Sequence, residues 1–243
     1  MKLEELEQLL KSLHLHRIAE MLSEELATTK KRNLSYETML LRLLRAQWQA
    51  KQESALNYRI TKAKIPEQWM LETFPFKKQP GVSKRQIDSL AELDFISRHE
   101  NIVFIGPTAV GKSGLATGLL LKSLYNGYRG RFIAAQDLFD EMYASLADRS
   151  TRSLLNNLTK VDVLVIDELG YLVVKPEQTN IFFKLIGERY RRKPTIITTN
   201  LDYDEWTNFL GNQPLTDALL SRLRHHCHTI RIEGPPIREP QIQ

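Results

Sequence analysis

Apolar positions recur from the start of the chain at spacings of three and four (Leu3, Leu6, Leu10, Leu13), with Glu4, Glu5, Glu7 and Lys11 between them. That is the period of an amphipathic helix. A second helix is predicted from Ser35, an N-cap residue with Leu34 and Met39 spaced for a hydrophobic staple across it. It carries Leu40, Leu43, Leu44 and Trp48 inward and turns polar through Lys51, Arg59, Lys62 and Lys64. The polar stretch Thr28 to Asn33, with Lys30, Lys31 and Arg32, reads as the turn between them. No Gly or Pro precedes Pro66, so residues 1–64 read as a small helical domain, too short to bury much core by itself. Pro66, Pro75, Pro80 and Gly81 mark residues 65–82 as a linker, whose Trp69, Phe74 and Phe76 point to packing against a neighbour.

Beyond the linker, residues 83–243 alternate short apolar runs with amphipathic ones. Ser83 and Gln86 have capping-box spacing, predicting a helix from Lys84 to about Ser97. Strands are expected at Asn101–Ile105, Arg131–Ala135, Asp162–Asp167, Thr195–Thr199 and Thr229–Ile232. Helices are expected at Lys112–Tyr125, Asp137–Leu146, Glu177–Arg191 and from Pro214 to Arg224. Short, fully apolar strands separated by helices imply an α/β fold with a parallel sheet covered on both faces.

Composition narrows the class. The 243 residues are 42% hydrophobic and 26% charged, ordinary proportions for a folded chain. One cysteine makes no internal disulfide and fits a reducing, cytoplasmic setting. No apolar run approaches the roughly 20 residues of a membrane span, and the acidic MKLEELEQLL start is unlike a signal peptide. A net charge of +5 permits a polyanionic partner without requiring one.

The chemistry starts at Gly106-Pro107-Thr108-Ala109-Val110-Gly111-Lys112-Ser113, which fits GxxxxGK[ST] between an apolar strand and a helix, with Gly114 following. Backbone N–H groups of such a loop and the helix N-terminus attract phosphate oxygens. Lys112 is placed for the β- and γ-phosphates of ATP and Ser113 for Mg²⁺. Val163 to Ile166 then end in Asp167-Glu168, at the strand end where open α/β sheets bind ligands. Asp167 is expected to hold Mg²⁺, directly or through water, and Glu168 to orient the attacking water. Asn200, closing the strand that ends Thr198-Thr199, is a sensor candidate or a turn residue. Arg222 is a candidate finger acting in a neighbouring subunit's site, or a surface arginine favouring a helix C-terminus; Arg224 competes with it.

The order of phosphate loop, Asp167-Glu168, Thr-Thr-Asn and Ser221-Arg222 resembles AAA+ ATPases of the DnaA/DnaC branch. More narrowly, Val165 to Tyr171, Glu188-Arg189-Tyr190, Ile196 to Asn200, Leu219 to His226 and Gln79-Pro80-Gly81 are similar to IstB-type helper ATPases of insertion sequences. The resemblance spans nearly the whole chain. It implies a five-stranded parallel AAA+ core in which the sensor strand separates the other two motif strands. It also implies ATP-dependent assembly on duplex DNA as a ring or helical homo-oligomer, with recruitment and stimulation of a transposase for target selection. The family's functional residues fall on Lys112, Ser113, Asp167, Glu168, Asn200 and Arg222. Ala109 stands where many relatives carry glycine, which is expected to be tolerated only at negative φ. The few residues after Ile232 leave no room for a helical lid, with Arg238 a weak substitute for its sensor arginine.

Other signals are weighed against blander readings. In His225-His226-Cys227-His228, alternate residues of an extended stretch face opposite ways, so convergence on one metal is not expected. Arg189, Arg191, Arg192 and Lys193, or Arg149 and Arg152, are candidates for sequence-independent contacts to DNA phosphates; Lys77, Lys78, Lys84 and Arg85 form another basic run. The N-terminal leucine stripe is either a docking surface or its own bundle's core. The expectation is an ATPase whose ATP-bound oligomer acts in transposition and is disassembled by hydrolysis. The rivals are a DnaC-like helicase loader, a nucleotide-gated DNA scaffold with little turnover, and a monomeric small-molecule kinase.

Overall fold

The computed structural model describes residues 2–79 and 81–237; Pro80 and Arg238 lie outside them. The chain divides into two compact units, residues 1–58 and 59–243.

In the first unit, α1 (Lys2–Ser12) and α2 (His16–Arg32) are followed by α3 (Tyr36–Ala63), which runs on past the division at residue 58. The expected turn at Thr28 to Asn33 is instead the end of α2. Lys30, Lys31 and Arg32 complement the negative helix terminus, and Asn33 closes it in the left-handed region at φ 49°. The break falls earlier. His14 takes φ 58°, and the Leu15 amide donates to the Leu10 carbonyl at 2.8 Å, which ends α1 without a glycine. The Thr38 amide donates to the Ser35 hydroxyl, as the N-cap reading requires. The core of this unit is small: Ile18, Leu22 and Leu43, flanked by Leu10, Leu15, Met21 and Met39. Leu40, Leu44 and Trp48, expected to face inward, are 53%, 56% and 63% exposed. The pattern identified the helix, but only Leu43 of that set finds partners to bury it.

The second unit holds a five-stranded sheet: β1 (Asn101–Ile105), β2 (Gly130–Ala134), β3 (Val163–Leu169), β4 (Thr195–Thr199) and β5 (Cys227–Arg231). The strands are all parallel, in the order β2-β3-β4-β1-β5. Helices α4 (Lys84–Ala91), α5 (Asp94–Ser97), α6 (Lys112–Tyr125), α7 (Ala135–Ala147), α8 (Thr151–Lys160), α9 (Pro176–Arg189), α10 (Trp206–Leu210) and α11 (Gln213–His225) complete it. Alternation along the strands sends Ile102 and Phe104 to one face with Leu115, Leu119 and Leu120 of α6. Val103 and Ile105 go to the other with Phe139 of α7, Phe182 of α9 and Leu219 of α11. Each fully buried leucine contributes about 1.5–3 kcal/mol, so α6, with five buried leucines, is anchored by its packing face.

Some expected spans change, and β3 runs on to Leu169 past its expected end at Asp167. The helix from Lys84 is capped by Ser83 as expected but breaks before Asp94, where Leu93 takes φ 67°. α8 and α10, with the 3-10 turn Tyr203–Glu205, occupy stretches assigned no element from the sequence.

One polar clasp aligns the sheet. Asp162, just before β3, accepts from the Arg129 backbone and guanidinium at 2.9–3.2 Å and from Lys193 at 3.1 Å. Arg129 leads into β2 and Lys193 into β4, so one carboxylate gathers the starts of three adjacent strands. Burial pushes the Asp162 carboxyl up, but the hydrogen bonds from Arg129 and Lys193 and the Lys193 charge outweigh it and hold the pKa at about 2.

Candidate functional site

The parallel sheet brings the C-terminal ends of β1, β3 and β4 side by side, with β4 between the other two. The loop Gly106–Gly111 leaves β1 and enters α6. Gly106 approaches Ile232, just past β5, so closely that a Cβ there would sit 2.3 Å from the Ile232 carbonyl oxygen. Gly111 precedes the helix at φ 98°, where a Cβ would meet the Phe74 ring at 2.6 Å. No side chain caps α6, so its first N–H groups stay available to an anion. Lys112 is buried; its ammonium donates to the carbonyls of Gly106 at 2.8 Å and Pro107 at 2.6 Å. Burial lowers the Lys112 pKa, and the charges of Asp167 and Glu168 oppose that shift. Val110 points away into the core, fully buried.

Ala109 reverses the expectation of negative φ: it sits at φ 65°. The left-handed conformation costs an L-residue roughly 1–2 kcal/mol. It is held because the Ile237 amide donates to the Ala109 carbonyl at 2.7 Å, fixing the peptide from outside the loop.

Thr108, Ala109, Gly111, Lys112, Ser113, Gly114, Asp167 and Glu168 line one cleft of about 220 Å³. Its wall is completed by Pro66, Glu67, Trp69, Thr117, Phe132, Tyr171 and Ile237. The Trp69 ring packs against Gly114, so the stretch read as a linker forms part of the cleft. The Tyr171 and Thr108 hydroxyls are hydrogen-bonded at 3.0 Å. Ser113 and Asp167 supply hard oxygen donors, the set that suits Mg²⁺.

Asp167 is buried and Glu168 exposed. Facing them from β4 is Thr198, whose hydroxyl donates to Asp167 Oδ1 at 2.5 Å and accepts from the Glu168 amide at 2.9 Å. Thr198 is not among the residues the sequence singles out for a role, although a threonine inside an apolar strand two residues before Asn200 is a visible signal. Asn200 is exposed, its Oδ1 close against Gly170. Arg222 does not line the cleft; its guanidinium lies over the Phe183 ring of α9 at 4.5 Å. Arg224 lies over Tyr203 at 4.6 Å.

The basic candidates separate. Arg189 is 2% exposed, and its guanidinium donates to the Leu158, Val161 and Pro194 carbonyls and to the Thr195 hydroxyl. Burial lowers its pKa to about 9 against the charge of Asp162. All its donors face the interior, so the expected DNA contact is withdrawn: Arg189 ties α9 to β4 and to the stretch between α8 and β3. Lys193 is engaged by Asp162 and by the Lys160 carbonyl at 2.7 Å. Arg149, Arg152, Arg191 and Arg192 are exposed. His225 bonds the Tyr190 hydroxyl and His228 bonds Glu100, while burial raises the Cys227 thiol to about 11. No described helix is long and apolar enough to cross a membrane.

A five-stranded parallel sheet with a lysine-bearing phosphate loop facing an acidic strand end, across an intervening polar-ended strand, defines a P-loop protein of the AAA+ type. The profile of the IstB-like ATP binding protein family matches residues 8–242, and the chain belongs to that family. It is 35% identical over 95% of its length, and 93% of the other's, to the protein named as ATP-binding in insertion sequence IS5376 of Geobacillus stearothermophilus. It is 32% identical over 96% of its length, and 88% of the other's, to the corresponding insertion sequence IS21 protein of Pseudomonas aeruginosa. Among solved structures, the DnaC helicase loader superposes with a TM-score of 0.55 at 23% identity, covering 67% of this chain and 96% of that one; this likeness shows the fold.

Proposed function

We propose that the chain is an ATPase that assembles on duplex DNA and recruits a transposase during transposition of an insertion sequence, hydrolysis then disassembling it. The observation that carries the reading is the meeting of Lys112, Ser113, Asp167 and Glu168 in one cleft, in a member of a family whose relatives are named as insertion-sequence proteins.

Each residue has a task that its surroundings permit. The α6 N-terminus and the loop N–H groups bind the triphosphate, and Lys112, already aimed at the loop, neutralises its outer phosphates. Ser113 and Asp167 would hold Mg²⁺, which spreads charge from the phosphate oxygens when bound. Glu168, exposed beside buried Asp167, orients water and accepts its proton. Asn200, at the end of the strand between, steadies that water. Arg222, whose guanidinium lies over the Phe183 ring away from its own chain's cleft, is assigned to the site of a neighbouring copy. Arg149, Arg152, Arg191 and Arg192 are left as contacts to phosphates of the DNA backbone, one set per subunit.

The test is electron microscopy of the purified protein with duplex DNA and a nonhydrolysable ATP analogue. Ordered assemblies are expected with the analogue and none without nucleotide. Equal DNA association in both conditions would contradict the reading. The DnaC rival rests on shared fold alone, and a pull-down against transposase and replicative helicase separates the two.

A further inference from the structure

Successive residues of a strand face opposite sides of the sheet, so adjacent Asp167 and Glu168 should not share a cleft. They do because β3 is bulged. Ile166 pairs with Ile197 and Leu169 with Thr199, which leaves two residues of β3, Asp167 and Glu168, opposite the single residue Thr198 of β4. Glu168 takes φ 60° at the bulge, the left-handed region that few residues other than glycine adopt.

The partner of the Glu168 amide there is the Thr198 side chain, fully buried. A backbone amide can only donate, so the Glu168 N–H at 2.9 Å uses a lone pair of the hydroxyl. The single hydroxyl hydrogen then goes to Asp167 Oδ1 at 2.5 Å. One oxygen atom thereby fixes both halves of the bulge: it replaces the ladder bond that Glu168 loses and turns the Asp167 carboxylate so that Oδ2 is left for other partners. We propose that Thr198 is a positioning residue for hydrolysis, the staple that presents Asp167 and Glu168 to the same cleft; this rests on the ATPase reading above.

Thr198→Val keeps the shape and removes the hydroxyl, whereas Thr198→Ser keeps the hydroxyl. In the full-length protein, valine should lower kcat about 30-fold or more while ATP-analogue affinity stays within about 3-fold. The Mg²⁺ concentration for half-maximal turnover should rise, because Asp167 loses its fixed orientation. Serine should restore turnover to within about 3-fold of the parent. A merely structural threonine predicts instead that turnover falls in step with the folded fraction at unchanged Mg²⁺ dependence, and that result overturns the proposal, as does a valine variant at parental kcat. In the unsubstituted protein the Glu168 amide should exchange slowly with solvent deuterium; fast exchange overturns the proposal even if valine prevents folding. Absence of ATP turnover in the unsubstituted protein, with the Glu168 amide still protected, removes the ATPase reading and leaves the bulge staple standing.

Discussion

The Lys112 ammonium donates to the Gly106 carbonyl 2.8 Å away, so the loop's last cation is tied back to its first residue. A phosphate arriving at the loop competes for a charge already aimed inward, which spares the ordering cost of a long, flexible side chain. Lys112→Ala removes that charge from a buried position whose neighbours are Asp167 and Glu168. Nucleotide affinity, read with a fluorescent ATP analogue, should fall at least about 10-fold, and nucleotide-dependent DNA binding with it. ATP-dependent assembly retained in that variant counts against the site.

Glu168→Gln keeps the backbone bond to Thr198 and the side-chain shape but removes the base. Turnover should drop by about 100-fold or more, with ATP binding nearly unchanged and assemblies on DNA longer-lived. If disassembly proceeds at the parental rate, the chain is a nucleotide-gated scaffold and hydrolysis has no part in its cycle.

Arg189→Met leaves three carbonyls and a threonine hydroxyl without their buried donor. The expected cost is about 3 kcal/mol or more, read in chemical denaturation. A phosphate-contact arginine would cost stability almost nothing, so a fully stable variant with weakened DNA affinity would restore the role withdrawn above. Arg191→Ala and Arg192→Ala, at exposed positions, should do the reverse: stability unchanged, DNA affinity and its salt dependence reduced.

Asp162 carries a pH dependence with a definite sign. Its folded pKa of about 2 lies below the ordinary aspartate value, so its contribution is present above about pH 4 and is lost as pH falls towards 2. Solvent screening of a partly exposed carboxylate reduces the contribution to about 1 kcal/mol. Asp162→Asn should therefore lose about that much stability at pH 7 and show a flatter acid limb in thermal unfolding. An acid limb identical to the parent's would show that the clasp between the strand starts is energetically idle.

The spans of β1, α6 and β4 could be read from the chain because each is a short apolar or amphipathic run bounded by turn residues, and the phosphate loop locks β1 to α6. α8 was not legible: only Leu155 and Leu158 of its ten residues are buried, too short a stripe to stand out from its polar neighbours. The N-terminal pattern shows amphipathic helices, but periodicity says which residues share a face and not whether that face finds a partner, so Leu40, Leu44 and Trp48, expected inside, lie exposed. The Ala109 conformation is set by an amide from Ile237, far along the chain, which no local rule anticipates. The bulge at Glu168 is a matter of register between two strands, invisible in the spacing of either alone.

The proposed reaction centre is shared between copies, with Glu168 from one and Arg222 from the next. Mixing Glu168→Gln protein, which is expected to bind ATP and assemble, with Arg222→Ala protein tests it most directly. Each alone should be nearly inactive as an ATPase, and in a head-to-tail assembly about a quarter of the interfaces of an equal mixture join an intact Glu168 to an intact Arg222. The mixture should therefore recover about a quarter of parental turnover on duplex DNA. If it stays as inactive as its components, or if Arg222→Ala alone turns over like the parent at any protein concentration, the site is not shared through Arg222.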